Sequence, residues 1–375
     1  MAVLSLSGVV DAFYRRRDEL LASARFHRLA AAFPLTRWIV RRRTRELFDI
    51  TAGFVYSQVL VACVRLDLFQ RLAQEPRTLA QLAMDLQMPE PGLEHLLRAA
   101  TELRLLQRRS RGRWGLGELG AASLGSPGIA AMVAHHGLLY ADLGDPLGLL
   151  RDRSQATLSD YWAYAGNPGE TDSQSAGTYS ELMAASQSFV ADDVLAAFPL
   201  DRSRKLLDIG GGSGVFLAAA LRAHPQLHGA VLDLAPVADL ARARLEDLDL
   251  LERGSAFAGN MFEDPLPGGC DVISLVRVLH DHDDDRVMGL LRAARNALPD
   301  DGRLLIAEPM AGTRGAAGVG AYFELYLWAM GSGRPRTAGE LRQMLEAAGF
   351  GDIREYRTHR PLLVRVLAAR PATRG

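Results

Sequence analysis

The stretch Leu206-Leu-Asp-Ile-Gly-Gly-Gly-Ser-Gly-Val215 constrains this chain more than any other. Leu206, Leu207 and Ile209 read as a buried strand, the glycines as a turn, and residues 215–223 as the helix that follows. A strand that turns through glycine into a helix lets a ligand approach the main chain, with the first amides of the helix facing it. The spacing is Asp-x-Gly-x-Gly-x-Gly. A dinucleotide site needs Gly-x-Gly-x-x-Gly, and Val215 stands where that last glycine would be, so a nicotinamide dinucleotide does not fit the pattern.

Downstream of this turn, strand and helix alternate. Strands are expected at 205–209, 229–233, 255–258, 271–276 and 303–308. Helices are expected at 215–223, 236–245, 284–298 and 337–348, with a short antiparallel edge pair at 353–357 and 362–367. Alternation of this kind implies a parallel sheet with helices on both faces and ligands at the carboxyl ends of the strands. At 48% hydrophobic and 23% charged, the chain has ordinary globular composition and room for more than one domain. A net charge of −1 gives no global attraction for nucleic acid. Cys63 and Cys270 form no metal-binding cluster and suit a reducing compartment. Residues 1–10 lack a basic n-region and a cleavage site, which predicts a cytoplasmic chain. The apolar run near 53–64 is broken by Ser57 and Gln58 and reads as too short for a bilayer.

Before the glycine turn the chain divides into a basic helical arm at 1–49, a helical and winged-helix region with linker helices at 50–200, and the ligand-binding domain at 201–375. In the arm, Arg15–Arg17, Arg25, Arg28, Arg37, Arg41–Arg43 and Arg45 are interleaved with Phe26, Leu29, Phe33, Leu35, Trp38 and Ile39. Two readings compete: a solvated or dimer-packing arm, or a basic amphipathic surface that docks on anionic lipid. Residues 46–73 read as a pair of helices, apolar on most sides and therefore buried. A short helix capped by Thr78, a second from Pro89, and a hairpin at 105–116 turning at Arg111-Gly112 make a winged-helix pattern. Its second helix carries Glu90, Glu94 and Glu102 against Arg98, which favours dimer packing over phosphate contact. His135 and His136 fit metal ligands or, more simply, satisfied structural histidines.

The candidate chemistry sits at the strand ends. Asp233 can accept both hydroxyls of a ribose or cap the helix after it. Asn260, Met261 and Phe262 could sandwich an adenine ring or simply pack. In Arg277-Val-Leu-His280-Asp-His282-Asp-Asp-Asp285, a His/Asp cluster could hold a metal, but Asp283–Asp285 precede a helix whose amides they would cap. His280 could take a proton from a substrate hydroxyl, with Glu308 holding its tautomer and His282 as the alternative base.

The ordered set Leu207-Asp-Ile-Gly-Gly-Gly-Ser-Gly, Leu232-Asp-Leu-Ala-Pro, Gly259-Asn-Met-Phe, Leu279-His-Asp, Ala307-Glu-Pro and Arg336-Thr resembles the class I S-adenosylmethionine-dependent O-methyltransferases with a winged-helix dimerisation domain. Ala32-Phe-Pro-Leu-Thr-Arg, Gly53-Phe-Val-Tyr-Ser-Gln-Val-Leu, Met132-Val-Ala-His-His and Val278-Leu-His-Asp-His-Asp-Asp-Asp-Arg are similar to the carotenoid O-methyltransferases of purple bacteria, of the demethylspheroidene or hydroxyneurosporene type. The resemblance implies an α/β fold: a Rossmann-like doubly wound sheet, mostly parallel with an antiparallel C-terminal edge, and a mainly α-helical N-terminal winged-helix dimerisation domain. It also implies a homodimer, S-adenosyl-L-methionine as cofactor with S-adenosyl-L-homocysteine as product, and no metal. The acceptor would be the tertiary 1-hydroxyl of an acyclic carotenoid in spheroidene biosynthesis.

The implied catalytic residues are His280 and Glu308. The implied cofactor residues are Asp208, Gly210, Gly212, Gly214, Asp233, Leu234, Asn260, Met261, Phe262, Arg277 and Ser186. Candidates for the wall of an apolar acceptor tunnel are Met183, Phe189, Tyr322, Phe323, Tyr326, Leu327 and Met330, whose helical spacing also suits a core. A membrane-resident substrate favours peripheral contact with the inner or intracytoplasmic membrane, and nucleic acid is not an expected partner. Three positions depart from the family pattern: Asn260 replaces an Asp, Pro335 replaces a second Glu beside the histidine, and Arg277 replaces a common Lys. The competing readings are an O-methyltransferase for another hydrophobic acceptor, such as a polyketide phenol or a bacteriochlorophyll precursor, and a non-catalytic winged-helix DNA-binding regulator.

Overall fold

A computed structural model describes residues 6–159 and 187–372. Met183 and Ser186 of the expected site lie outside the described residues. Two compact units divide between Ala121 and Ala122.

In the first unit, α1 (Leu6–Ala22), α2 (Ala24–Ala32) and α3 (Arg37–Arg65) follow one another, and the Ser23 side chain caps α2 by accepting from the Phe26 amide. The expected pair of helices over 46–73 is present, broken at Leu66-Asp67 before α4 (Leu68–Gln74). Two expectations fail. First, α3 starts at Arg37 and runs unbroken past Ser57 and Gln58, so by length and composition alone it could cross a membrane. Second, it is not buried: only Val61 and Cys63 are, while Ile50 and Phe54 are 79% and 71% exposed. Leu47, Phe48, Ile50, Phe54 and Val55 lie uncovered along its middle among the described residues, and apolar side chains in such number call for a cover.

The winged-helix elements form as expected. Thr78 and Gln81 make a reciprocal capping box that opens α5 (Leu79–Leu86). α6 (Glu90–Glu102) buries Leu93, Leu97 and Ala100. β1 (Leu106–Arg108) pairs antiparallel with β2 (Trp114–Leu116), and Arg77 bridges to Trp114 beyond them. Arg111 and Gly112 take positive φ at the tip of the wing. The outward side of α6 is acidic, with Arg98 bonded to Glu94 at 2.6 Å.

α7 (Glu118–Leu124) carries the chain into the second unit, where α8 (Pro127–Asp142), α9 (Pro146–Arg151) and helical residues 187–197 precede the sheet. The strands are β3 (Lys205–Ile209), β4 (His228–Asp233), β5 (Gly254–Ala258), β6 (Val272–Val276) and β7 (Arg303–Glu308), followed by β8 (Phe350–Tyr356) and β9 (Arg365–Pro371). They run in the order β5-β4-β3-β6-β7-β9-β8, parallel from β5 to β7, with β9 and β8 closing the edge antiparallel. Between the strands lie α10 (Val215–Ala223), α11 (Ala235–Asp247), α12 (Asp284–Ala297), α13 (Ala317–Met330) and α14 (Ala338–Ala347).

Alternate strand residues face two separate cores. Leu206, Val231, Val272 and Leu305 meet α10 and α11, whereas Leu207, Ala230, Ile273 and Leu304 meet α12 and α14. Both faces of the central strands are therefore dry, which is why those strands read as continuous apolar runs. The last edge pair is displaced from its expected position because Leu362 and Leu363, though apolar, are exposed in the connection. β3 neighbours both β4 and β6, so the order reverses there, and the carboxyl ends around that point form the crevice.

Candidate active site

β3 delivers Asp208 and then the glycine turn. Gly210 and Gly212 take φ of 63° and 58°, a left-handed backbone that other residues adopt only with strain. A Cβ on Gly210 would press against Val278 of the loop opposite, while Gly212 faces open space. The turn is tied to β4: Asp233 Oδ2 accepts from the Gly212 amide and Oδ1 from the Leu234 amide, both at 2.8 Å. Leu234 caps α11. Asp233 thus braces the turn, and each of its oxygens keeps a lone pair for a ligand hydroxyl.

Asp208 is fully buried. Its Oδ1 accepts from Ser274 Oγ at 2.6 Å, and its Oδ2 has no hydrogen-bond partner. Burial is the main cause that pushes this carboxyl up to about 7, opposed by the Ser274 bond. An unpartnered carboxylate oxygen beside the glycine turn fits a ligand that brings its own positive charge and donors.

At the end of β5, Asn260 Oδ1 accepts from the Phe262 amide at 3.1 Å, and the Asn260 amide donates to Asp264. The carboxamide therefore shapes its own turn and leaves its NH₂ group for other contacts. Met261 lies against the glycine turn near Gly210. Phe262 meets the His282 ring edge-on, 4.7 Å between centroids, and the Arg286 guanidinium lies over the Phe262 ring.

Arg277 follows β6 directly, and its φ of 59° is unusual for a side chain of that size; its amide donates to Ala307 O. The chain then makes a single 3-10 turn, Leu279–Asp281, which carries His280. Glu308 at the end of β7 organises this turn. Its Oε1 accepts from the Val278 and Leu279 amides at 3.0 and 2.7 Å, and its Oε2 pairs closely with His280 Nδ1. That contact assigns the proton to Nδ1 and leaves Nε2 as the proton acceptor.

On the other side, Asp281 Oδ1 stands 3.2 Å from Nε2. The carboxylate absent at Pro335 is thus matched by one from the residue after the histidine, and the ring is bracketed by two acids. Burial works against the charged ring, but Asp281 and Glu308 outweigh it and raise the His280 pKa. Burial in turn raises Asp281 to about 6. His282 is held neutral at about 4, first by burial and then by Arg286, which makes it the weaker base.

The expected cap does not form: Asp283 is the N-cap of α12 but its side chain makes no bond to the helix amides. Asp283 accepts from the Gly333 amide, and Asp284 pairs with Arg334 and Arg336. Among the described residues no group of three or more acids, histidines or cysteines could hold a metal.

Phe323 on α13 meets His280 edge-on, 5.7 Å between centroids. Behind it, Tyr322 stacks on Tyr326, and these hydroxyls bond to His136 and His135 at 2.9 Å each. The two histidines are thus partnered by tyrosines. Burial lowers the pKa of both, His135 to about 4. Tyr326, Leu327 and Met330 are buried between α8, α9 and α13, which gives them to the core, while Tyr322 and Phe323 keep an accessible face. Phe189 lies under the Arg360 guanidinium on the β8–β9 connection. The sequence reading did not assign the Asp281 carboxylate, nor the bonds that Arg336 makes to the His280 turn. The arginine of the Arg336-Thr337 motif is the one sequence signal for the latter.

Against known proteins, residues 142–351 match the family model of the O-methyltransferase domain, and residues 48–126 match that of the O-methyltransferase dimerisation domain. The chain is 42% identical over 356 residues to a demethylspheroidene O-methyltransferase of Cereibacter sphaeroides, covering 94% of each chain. It is 41% identical over 349 residues to a demethylspheroidene O-methyltransferase of Rhodobacter capsulatus, covering 92% of this chain and 87% of that one. The structure of human N-acetylserotonin methyltransferase in complex with S-adenosylmethionine superposes with a TM-score of 0.73 at 25% identity, over 88% of this chain and 98% of that one.

Proposed function

The chain belongs to the S-adenosylmethionine-dependent O-methyltransferases, and from that premise we propose that it methylates the tertiary 1-hydroxyl of an acyclic carotenoid of the demethylspheroidene type, with His280 as general base. The observation that carries the mechanism is the His280 ring between Glu308 and Asp281 at the carboxyl edge of the sheet. The likeness to two demethylspheroidene O-methyltransferases supports the acceptor.

Asp208, the glycine turn, Asp233 and Met261 are the residues that would hold the cofactor. The unpartnered Asp208 oxygen suits the ammonium of its amino-acid end, and Asp233 suits its ribose. When bound, S-adenosylmethionine supplies a sulfonium methyl already activated for transfer. The protein's part is to hold the acceptor oxygen in line with it and to receive the proton. Glu308 fixes Nδ1–H, so Nε2 receives that proton as the methyl moves, because a tertiary alcohol is too weak an acid to lose it beforehand. Phe323, against the His280 ring, and Tyr322 beside it form an aromatic wall suited to an apolar chain. Co-expression with a hydroxylated acyclic carotenoid, followed by mass spectrometry, tests acceptor and reaction together. The expected product is heavier by one CH₂, and an unchanged carotenoid alongside active transfer to another acceptor would refute the assignment.

The dimerisation domain makes the assembly a homodimer, and the uncovered apolar side of α3 around Ile50 and Phe54 offers the surface. We further propose that residues 6–45 rest on an anionic bilayer. Phe13, Leu29, Leu35 and Trp38 are exposed there among the arginines, and such an arm brings the catalytic domain to a membrane-resident acceptor. Flotation with anionic and neutral liposomes, with and without residues 1–45, tests it. Loss of anionic binding on truncation is expected, and equal partitioning would refute it.

A further inference from the structure

The turn that carries His280 is gripped from both sides. Glu308 takes its first two amides, and residues 332–336 take its carbonyls. Each carbonyl from Leu279 to His282 accepts one bond from that segment: Leu279 O from Arg336 Nη1 at 2.6 Å, His280 O from the Arg334 amide at 2.9 Å, Asp281 O from Ser332 Oγ at 2.7 Å, and His282 O from Arg336 Nη2 at 2.7 Å. Gly333, at φ +80°, lies so close that a Cβ there would collide with the His280 carbonyl oxygen. Arg336 is 3% exposed, and its Nε and Nη2 also reach Asp284 Oδ1 at 2.9 and 2.7 Å.

A buried guanidinium is costly to desolvate unless its donors are matched. Here they are matched to the two main-chain carbonyls on either side of one histidine and to the Asp284 carboxylate just after the same turn. We propose that Arg336 is a positioning residue for methyl transfer: its planar fork spans the Leu279 and His282 carbonyls and so fixes where His280 Nε2 stands. The proposal rests on His280 being the base. The fork holds two carbonyls three residues apart while its far edge is anchored on Asp284. A lysine ammonium cannot do all three, because it is a point donor on a flexible stem. If the turn drifts, the ring loses register with Glu308 on the neighbouring strand, and a displacement of about 1 Å at a reacting group costs roughly 100-fold in rate.

The test is the full-length enzyme with Arg336→Lys, Ser332→Ala and His280→Ala, and the Arg336→Lys/His280→Ala double variant. Arg336→Lys should lower kcat about 10- to 100-fold, with KM for S-adenosylmethionine and affinity for S-adenosylhomocysteine unchanged. The acid limb of the kcat–pH profile should move to lower pH, because the His280 pKa is set by Asp281 and Glu308 against burial and Arg277, with neutral His282 nearby. Ser332→Ala removes one carbonyl donor at the edge of the grip. It should lower kcat several-fold with an unchanged thermal midpoint, which keeps the test open if Arg336→Lys does not fold. In the double variant the lysine should cost nothing beyond His280→Ala. Wild-type kcat and pH profile in the folded single variants, or an equal loss from the lysine in the His280→Ala background, would overturn the positioning role. Wild-type kcat in His280→Ala alone would instead remove the base on which it depends.

Discussion

Glu308→Gln isolates the contact on which the proposed mechanism turns. The carboxylate accepts three donors, the Val278 and Leu279 amides on one oxygen and His280 Nδ1–H on the other. A glutamine has one oxygen and one NH₂. If its oxygen stays with the two amides, its NH₂ faces Nδ1, and two donors then meet in a buried site. The ring relieves this by moving its proton to Nε2, the nitrogen meant to receive the acceptor's proton. The alternative leaves a buried donor unmatched at about 1–3 kcal/mol. Loss of the base costs roughly 10²- to 10⁴-fold, or about 2.7–5.4 kcal/mol of barrier.

The pH behaviour follows from the same contact. The His280 pKa is raised, so the pair's contribution to stability is whole below the ordinary histidine value near 6.5 and is lost as pH climbs through the folded value. The free base appears in that same window, so wild-type kcat rises with pH there. In Glu308→Gln the window moves down while the rate stays low. Steady-state methyl transfer at saturating cofactor, with calorimetric titration of S-adenosylhomocysteine, measures both. Cofactor affinity should hold within about twofold, since Glu308 bonds to the turn and not to the glycine loop. A variant within threefold of wild-type kcat, with the wild-type pH profile, would refute the tautomer argument.

Other sites predict separable effects. Asp208→Asn keeps the Ser274 bond and removes a buried acid whose pKa stands near 7. A raised acid pKa costs stability as pH climbs from about 4 to about 7, so thermal melts of the apo variant should gain most over wild type above pH 7, while S-adenosylhomocysteine binds roughly tenfold more weakly. Phe54→Glu puts a charge on the exposed apolar side of α3, and size-exclusion chromatography with light scattering should show a shift toward monomer. Phe323→Ala removes the ring against His280, and KM for the carotenoid should rise several-fold with that for the cofactor unchanged.

What the sequence disclosed was local, and what it hid was relational. The strand, glycine turn and α10 occupy consecutive residues, and their apolar periodicity and glycine spacing are written into one short stretch. The strands whose residues alternate between two dry cores, such as Val272–Val276, were equally readable. Leu362 and Leu363 misled because an exposed apolar pair has the same composition as the start of a strand. The bonds of Arg336 to Leu279 and His282, and of His135 to Tyr326, join positions far apart in the chain, and no periodicity encodes them. Burial of α3 was misjudged because its composition reports the cover it needs and not which molecule supplies it.

The unmatched oxygen of Asp208 then carries a wider argument. The other acids around the crevice are spoken for: Asp233 by two amides, Glu308 by three donors, Asp284 by two arginines and Asp283 by Gly333. A protein selected for stability alone would place an amide or an apolar residue at Asp208, since burying an acid with one oxygen unpaired works against folding. The glycine spacing excluded a dinucleotide, but it did not say what the turn is for. The buried acid beside it suits a ligand that arrives with positive charge and hydrogen-bond donors, in keeping with the cofactor role proposed for Asp208. Motif spacing and electrostatics are independent properties of the same turn: the first argues against a dinucleotide, and the second suits the cationic amino-acid end of the proposed cofactor.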